Sequence, residues 1–493
     1  MSLLITQEPR YLIMPVGQPT VFTASYNNIV ANKFNVKFIA YVRIAPHLTN
    51  LQWSTYNVAT LKVTPNNTGQ GIFDMRSVLE NYVKPDYEGG AVYDGSSDFS
   101  TSKGVDYSDT TPHPIHLIDS YSTARNNAKW LQVWFNIEYG DTATDPVSLH
   151  QNSPIIGSSI FLMYNGVIQE TDILDIATGD AGIGFNLNRR GFVLNTDTDK
   201  ALTNAPATQY IRFNDYATIP FIANTDNLTW TTGDSGATVA AVRQARVQLY
   251  DSGGSNLANF NIQDSTSRGG SFQISSRAST RIHYFGCGPA NFDGAVTGSD
   301  SAYNNWNTHK ANVSYYTVKF RDDDNNDISQ TYTFNIQDDD CKGFETIRLT
   351  WLNRHGTWDY YNFTKKSIRS LKTKKIRYQQ LKGVWNQEKY YTHGYRGGQK
   401  VYSNDTIENI TINTDFLTEE EGIWIEELMT SPDVFILKQE RTVFSADEGV
   451  VHKYIEPVIV TNSNHTRMTK ANDKLIQYTI ELERSKTVNS QRA

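Results

Sequence analysis

The sequence predicts a mainly β chain: two β-sandwich domains followed by a C-terminal split-barrel-like α+β domain with one packed helix. Three observations carry that expectation. The polar residues are chiefly Thr, Asn, Ser, Asp and Gln, and 28 Tyr accompany only 6 Met, a mixture that favours strands joined by turns over helices. Apolar side chains alternate with polar ones in several segments, the period of two expected of half-buried strands. A strong helix signal with its own cap stands near the C-terminus.

With 493 residues the chain is too long for one core, since single cores stop growing at about 250–300 residues. Composition shifts divide it into 1–190, 191–340 and 341–493. The hydrophobic fraction of 39% and aromatic fraction of 12%, against 20% charged residues, supply enough apolar mass for packed cores and give no disordered-chain signature. A net charge of −7 gives no general attraction to phosphate backbones, so any nucleic-acid contact requires a local basic patch.

In the first domain Val36, Phe38, Ala40, Val42 and Ile44 alternate with polar or outward residues, as do Leu131, Val133, Phe135 and Ile137. A strand over 58–64 ends at the turn formers Pro65 to Gly69. Asp74 is placed to cap a helix whose Met75, Val78, Leu79 and Tyr82 share one face. Residues 85–127 are rich in Gly, Ser, Asp, Thr and Tyr, too long for a simple connection, and read as a protruding insertion.

The second domain shows strand candidates at 210–213, 239–250, 260–262, 272–274, 314–320 and 331–336, spaced by turn signals as in a sandwich. Its last hairpin turns at the polar run Asp322 to Asp327, expected to face water. In the third domain Thr418 and Glu421 form a capping-box pattern ahead of a helix over 419–430. Strands are predicted at 407–412, 434–437, 455–460 and 475–482. No internal repeat of solenoid or propeller length is present.

Candidate chemistry is sparse. The Asp322–Asp327 run offers oxygens at Asp322, Asp324 and Asn326, but Asp327 stands where a calcium loop needs glycine and Thr333 where it needs glutamate, so a solvated turn is the expectation. Asp338-Asp339-Asp340 reads as a charged linker, because consecutive carboxylates on extended chain point to opposite faces. His113 and His116 are a close histidine pair without a third ligand nearby. Cys287 and Cys341 exclude a disulfide scaffold; pairing between them and two reduced thiols remain equal alternatives. No GxSxG elbow or GxxxxGK[ST] loop occurs, and the glycine-rich 383–398 has neither the spacing nor the helix of a phosphate cradle. No catalytic, cofactor-binding or metal-ligating residue is assigned, and the expectation is a non-enzyme.

One basic stretch stands out: Lys365, Lys366, Arg369, Lys372, Lys374, Lys375 and Arg377, interleaved with Ile368, Leu371 and Ile376. It suits an exposed hairpin, a contact with an acidic neighbouring subunit, or the lining of a channel through which DNA passes. No helix-turn-helix or other base-reading element surrounds it.

From Cys341 the text resembles a known group. The run Cys341-Lys-Gly-Phe-Glu-Thr-Ile-Arg-Leu-Thr-Trp-Leu-Asn353, the run Gly356-Thr-Trp-Asp-Tyr-Tyr-Asn-Phe363, the segment 417–432, and the closing Glu456–Val460 and Gln477–Glu481 are similar to tail and baseplate structural proteins, distal-tail or hub-like, of tailed bacteriophages that infect Bacteroidetes-type bacteria. The segments 73–83 and 283–289 add to the likeness. The resemblance implies a virion protein without a catalytic motif. Its C-terminal domain is expected to join copies in a hexameric or trimeric ring, and its sandwiches to contact other tail proteins. It also implies assembly in the host cytoplasm, in keeping with an N-terminus without signal-peptide character and the lack of an apolar stretch for membrane insertion. Two rival classes remain: a carbohydrate-binding adhesin using Tyr87, Tyr93, Tyr107 and Tyr121 of the insertion on a host surface glycan, and a glycan depolymerase using paired carboxylates.

Overall fold

The computed structural model describes residues 2–9, 12–84, 122–123, 127–167, 193–194, 201–215, 217–223, 242, 244–263, 278–292, 300–322, 324–337, 344–383, 388–437, 455–462 and 476–485. The insertion 85–127 with its tyrosines and its His113/His116 pair, the linker Asp338–Asp340, Cys341 and the strand candidate 272–274 therefore lie, but for 122–123 and 127, outside the described residues. The chain is mainly β and divides into two compact units. The first runs to Gln337 and takes in Leu352–Asp359; the second is formed by most of the remaining C-terminal chain.

The first unit begins with a sandwich. One sheet pairs Leu4–Gln7, Val21–Ser25 and Gln70–Asp74; the other has the order Ile13–Pro15, Phe161–Tyr164, Ala128–Gly140, Phe34–Ala45 and Asn57–Val63. The predicted alternation decides which side chains fill the gap: Phe38, Ala40, Val42, Leu131, Val133, Phe135 and Ile137 all point into one core. Phe135 meets rings of the opposite sheet, with centroids 6.2 Å from Phe22 and 5.6 Å from Phe73, which joins the layers through aromatic mass that gains from tilted packing.

The short helix after this sheet starts at Arg76, not at a cap on Asp74. Asp74 ends its strand, and its carboxylate accepts from the amides of Arg76 (3.0 Å) and Thr20 (3.1 Å), tying helix and sheet together. Leu79 is buried as expected, but Tyr82 is exposed because the helix ends at that residue.

Two more sheets follow. A four-stranded sheet holds Thr218–Ala223 and Ile282–Gly286, and a five-stranded sheet holds Thr208–Ile211, Tyr332–Ile336, Tyr315–Arg321, Gln244–Tyr250 and Asn256–Gln263. Phe320 of the larger sheet packs against Phe221 (4.8 Å) and Phe285 (5.3 Å) of the smaller. Cys287 is fully buried beside them, its carbonyl accepting from the Tyr316 hydroxyl at 2.7 Å.

The turn Leu352–Asp359 is a buried polar knot of the first unit. Asn353 Oδ1 accepts from the amides of His355 and Thr357, both at 3.0 Å, and its amide group donates to the Leu202 carbonyl at 3.1 Å. Thr357 donates to the same carbonyl at 2.6 Å, and Thr203 donates to Asp359 at 2.6 Å. These bonds satisfy groups whose burial would otherwise be costly.

The second unit is one seven-stranded sheet in the order Trp358–Phe363, Ile347–Leu352, Val434–Leu437, Ile455–Val460, Thr479–Arg484, Gly398–Asn413 and Ile368–Gln380. Of the sheet or split barrel expected around one packed helix, the structure takes the open sheet: among the described residues its two end strands do not pair. The predicted helix Glu419–Thr430 packs Trp424, Ile425 and Leu428 inward, with the Trp424 ring tilted against that of Trp351 at 5.2 Å between centroids. Its capping box is complete: Thr418 Oγ1 accepts from the Glu421 amide (3.2 Å), and Glu421 Oε2 accepts from the Thr418 amide (2.8 Å).

Candidate interaction surface

The basic stretch becomes the end strand of that sheet. Ile368–Gln380 pairs antiparallel with Gly398–Asn413 from Ile368↔Thr411 to Gln380↔Gly398, with one irregularity at Ile376/Arg377. The strand Thr479–Arg484 supports the inner side of this pair over Asn409–Asn413 alone. From Leu371↔Glu408 outward the two strands form a ribbon with no third strand among the described residues, about 30 Å long at 3.3–3.4 Å per residue. Two-stranded ribbons are at best marginally stable alone in water.

Local sequence explains the form. Thr, Ile, Tyr and Val supply extended propensity, and cross-strand pairs such as Lys374↔Asp405 set opposite charges face to face. The ribbon's end strand carries Lys372, Lys374 and Lys375, whose charge guards its open edge against edge-to-edge pairing with another sheet.

Charge along the ribbon is graded. At the base the cations are paired: Lys365 with Asp415 at 3.1 Å, and Arg369 with Glu345 at 2.6 Å and Glu408 at 3.4 Å. Arg484 joins Glu408 to Glu456 there, and its hydrogen bond to Glu456 is the largest influence holding that guanidinium more firmly protonated. Lys366 contributes its carbonyl, which accepts from Asn413 at 2.9 Å. Farther out, Lys372, Lys374, Lys375, Arg377, Lys382, Lys389, Arg396 and Lys400 have no ion pair among the described residues. Between Lys365 and Asn413 there are eleven basic and three acidic side chains, a local charge of +8 in a chain of net −7.

The ribbon also exposes apolar surface. Of the 23 exposed large apolar or aromatic side chains among the described residues, nine lie between Ile368 and Tyr402, a density far above the scattered single exposures of an ordinary surface. Leu371, Tyr395 and Tyr402 are 65%, 71% and 70% exposed. At the tip His393 stacks on Tyr395 at 5.5 Å and 29°, Tyr391 meets His393 edge-on at 5.8 Å, and the Arg396 guanidinium lies 5.6 Å over the Tyr395 ring. Gly397 and Gly398 take φ of +93° and +74°, which lets the chain turn back into its partner strand. The tip tyrosines escaped the sequence reading. Their signal was the run Tyr390-Tyr391-Thr-His393-Gly-Tyr395-Arg396, inside a segment weighed only as a phosphate loop.

The other candidates resolve differently. Asp322 is buried and does not face water. Its Oδ1 accepts from the amides of Asp324 (3.0 Å) and Asn326 (2.8 Å), and Oδ2 accepts from the Asn326 side chain (3.1 Å), so the carboxylate shapes the turn itself. Asp327 is committed to Lys319 (3.0 Å) and Arg321 (2.7 Å). Among the described residues no cluster of three or more His, Cys, Asp or Glu is placed to hold a metal ion, and no helix is long and apolar enough to cross a membrane.

No known protein family matches the chain, and no curated protein matches it. Among solved structures, Escherichia coli α2-macroglobulin in its native conformation overlaps at a TM-score of 0.17 and 8% identity, over 83% of this chain and 21% of that one. The trypsin-activated form of α2-macroglobulin from Escherichia coli overlaps at a TM-score of 0.14 and 7% identity, over 89% of this chain and 30% of that one. This chain thus spans under a third of those proteins, and overlaps so shallow carry no argument about its fold or function.

Proposed function

We propose that the chain is a structural subunit of a tailed-phage virion, positioned in the tail or baseplate, that joins neighbouring subunits through its C-terminal unit. The observation that carries this reading is the two-stranded ribbon, which concentrates exposed Leu, Ile and Tyr side chains on a segment that no third strand covers among the described residues. Burying such surface in a neighbour removes apolar area from water at about 25 cal/mol per Å², and Tyr and Arg are the side chains that anchor protein interfaces. The resemblance of 341–353, 356–363, 417–432, 456–460 and 477–481 to phage tail proteins supplies the class of assembly. Copies of the chain in a ring, with other tail proteins beside them, are the partners this reading requires.

The test has two parts. Sedimentation of the purified full chain over a wide concentration range should reveal a hexamer or trimer, and immunogold labelling of purified phage particles should mark the tail. A chain that stays monomeric at every concentration and is missing from particles refutes the proposal.

A further inference from the structure

The second unit carries both halves of a contact. Outside the ribbon, its described residues hold eleven acidic side chains against Arg348 and Arg484 alone. Several of these acids are spent within the unit: Glu345 and Asp415 pair with ribbon-base cations, Glu456 with Arg484, and Glu421 closes the capping box. Glu419 and Glu420 are not. They are exposed on the first turn of the helix Glu419–Thr430.

Their neighbours on that surface are apolar. Phe416, in the non-helical chain before the cap Thr418, is 55% exposed, and Ile423 is 37% exposed; Ile423 stands four residues after Glu419 and three after Glu420, the spacings that align side chains on one helical face. The opposite face of the same helix, through Trp424, Ile425 and Leu428, is the one packed on the sheet. The outward stripe is therefore acidic and apolar together, whereas the outer ribbon is basic and apolar together.

We infer that the outer ribbon of one copy docks on the Glu419–Glu420–Ile423 stripe of a second copy. This rests on the reading of the chain as an assembly subunit and names the partner surface. On one face of the ribbon, at alternate positions of its strand, Lys372 and Lys374 supply cations for Glu419 and Glu420, which have no ion pair among the described residues, and Ile376 supplies apolar surface for Ile423. Complementary potentials fix orientation and speed encounter. The lysine-guarded edge directs the contact to the faces of the ribbon, not to strand addition. Because ribbon and stripe are different surfaces, the contact is heterologous, and its repetition closes a ring or extends a filament.

Charge exchange in the full chain tests the pairing. E419Q/E420Q and K372E/K374E are each expected to weaken self-association about tenfold by sedimentation, with unchanged circular dichroism and thermal midpoint. E419K/E420K should do the same, and K372E/K374E/E419K/E420K should recover association to within about threefold of wild type. Helix variants that assemble as wild type does, while ribbon variants fail, overturn the inference in favour of another acidic partner such as nucleic acid. Failure of the four-fold variant to recover, with its fold intact, overturns it too. Wild-type chains that never associate remove the assembly reading itself, a result distinct from either.

Discussion

Gly356 offers the sharpest test of the structural reasoning. It sits at φ +73°, and a Cβ built there would lie 1.3 Å from the Asn165 carbonyl oxygen and 2.4 Å from its carbon. No rotamer relieves this, since the obstacle is backbone. Alanine would pay for the left-handed conformation with about 1–2 kcal/mol, and the turn would have to withdraw from 165–167. That withdrawal breaks the bond from the Val167 amide to the Arg354 carbonyl, 2.7 Å long, and that from the Asn127 side chain to the Gly356 carbonyl, 3.0 Å long. A buried polar group left unpaired costs about 1–3 kcal/mol, so the total is about 3–8 kcal/mol. At about 1.3 °C per kcal/mol for a unit of about 350 residues, G356A should lower the first unit's calorimetric transition by about 4 °C or more. G394A is the control: a Cβ at Gly394 meets nothing within 4 Å. If the transitions of G356A and wild type coincide, the buried turn is placed wrongly.

Two further outcomes are expected. T418A removes the acceptor of the Glu421 amide and opens the capping box, which should cost the second unit about 1 kcal/mol in urea unfolding, while T418S retains most of it; equal midpoints for T418A and wild type would refute the role of the cap. For Asp327, burial opposes ionisation, but hydrogen bonds from Lys319 and Arg321 outweigh it and hold the carboxyl below its usual range. A depressed folded-state value means that the group stabilises the fold above about pH 4 and that this contribution fades as pH falls through the depressed value. D327N should therefore flatten the acid limb of the stability curve below about pH 4, and a limb as steep as that of wild type would contradict the ion-pair geometry.

Local patterns were legible where one face of an element is buried. Alternation placed Phe34–Ala45 and Ala128–Gly140, and Thr418 with Glu421 placed the start of the helix Glu419–Thr430 to the residue. The strand Ile368–Gln380 was legible only as one alternative among three, an exposed hairpin, because every residue but Gln380 is exposed and no core imposes a period on it. Asp74 misled for a related reason: its carboxylate serves two amides at once, one of them 54 positions earlier in the chain.

The sequence by itself determined a β-rich chain, the position of its principal helix, and a basic segment set in an acidic protein, since composition, local periodicity and net charge need no knowledge of distant neighbours. Tertiary structure alone decided the sheet order and the open edge of the seven-stranded sheet. It also decided the parallel pairing of Thr208–Ile211 with Tyr332–Ile336, the burial of the turn 352–359 in the first unit, and which cations lack a carboxylate. Each of these depends on groups far apart in sequence meeting in space, where ladder bonds, exclusion of water and backbone contact set the energy, and no short window of residues encodes which distant segment will arrive.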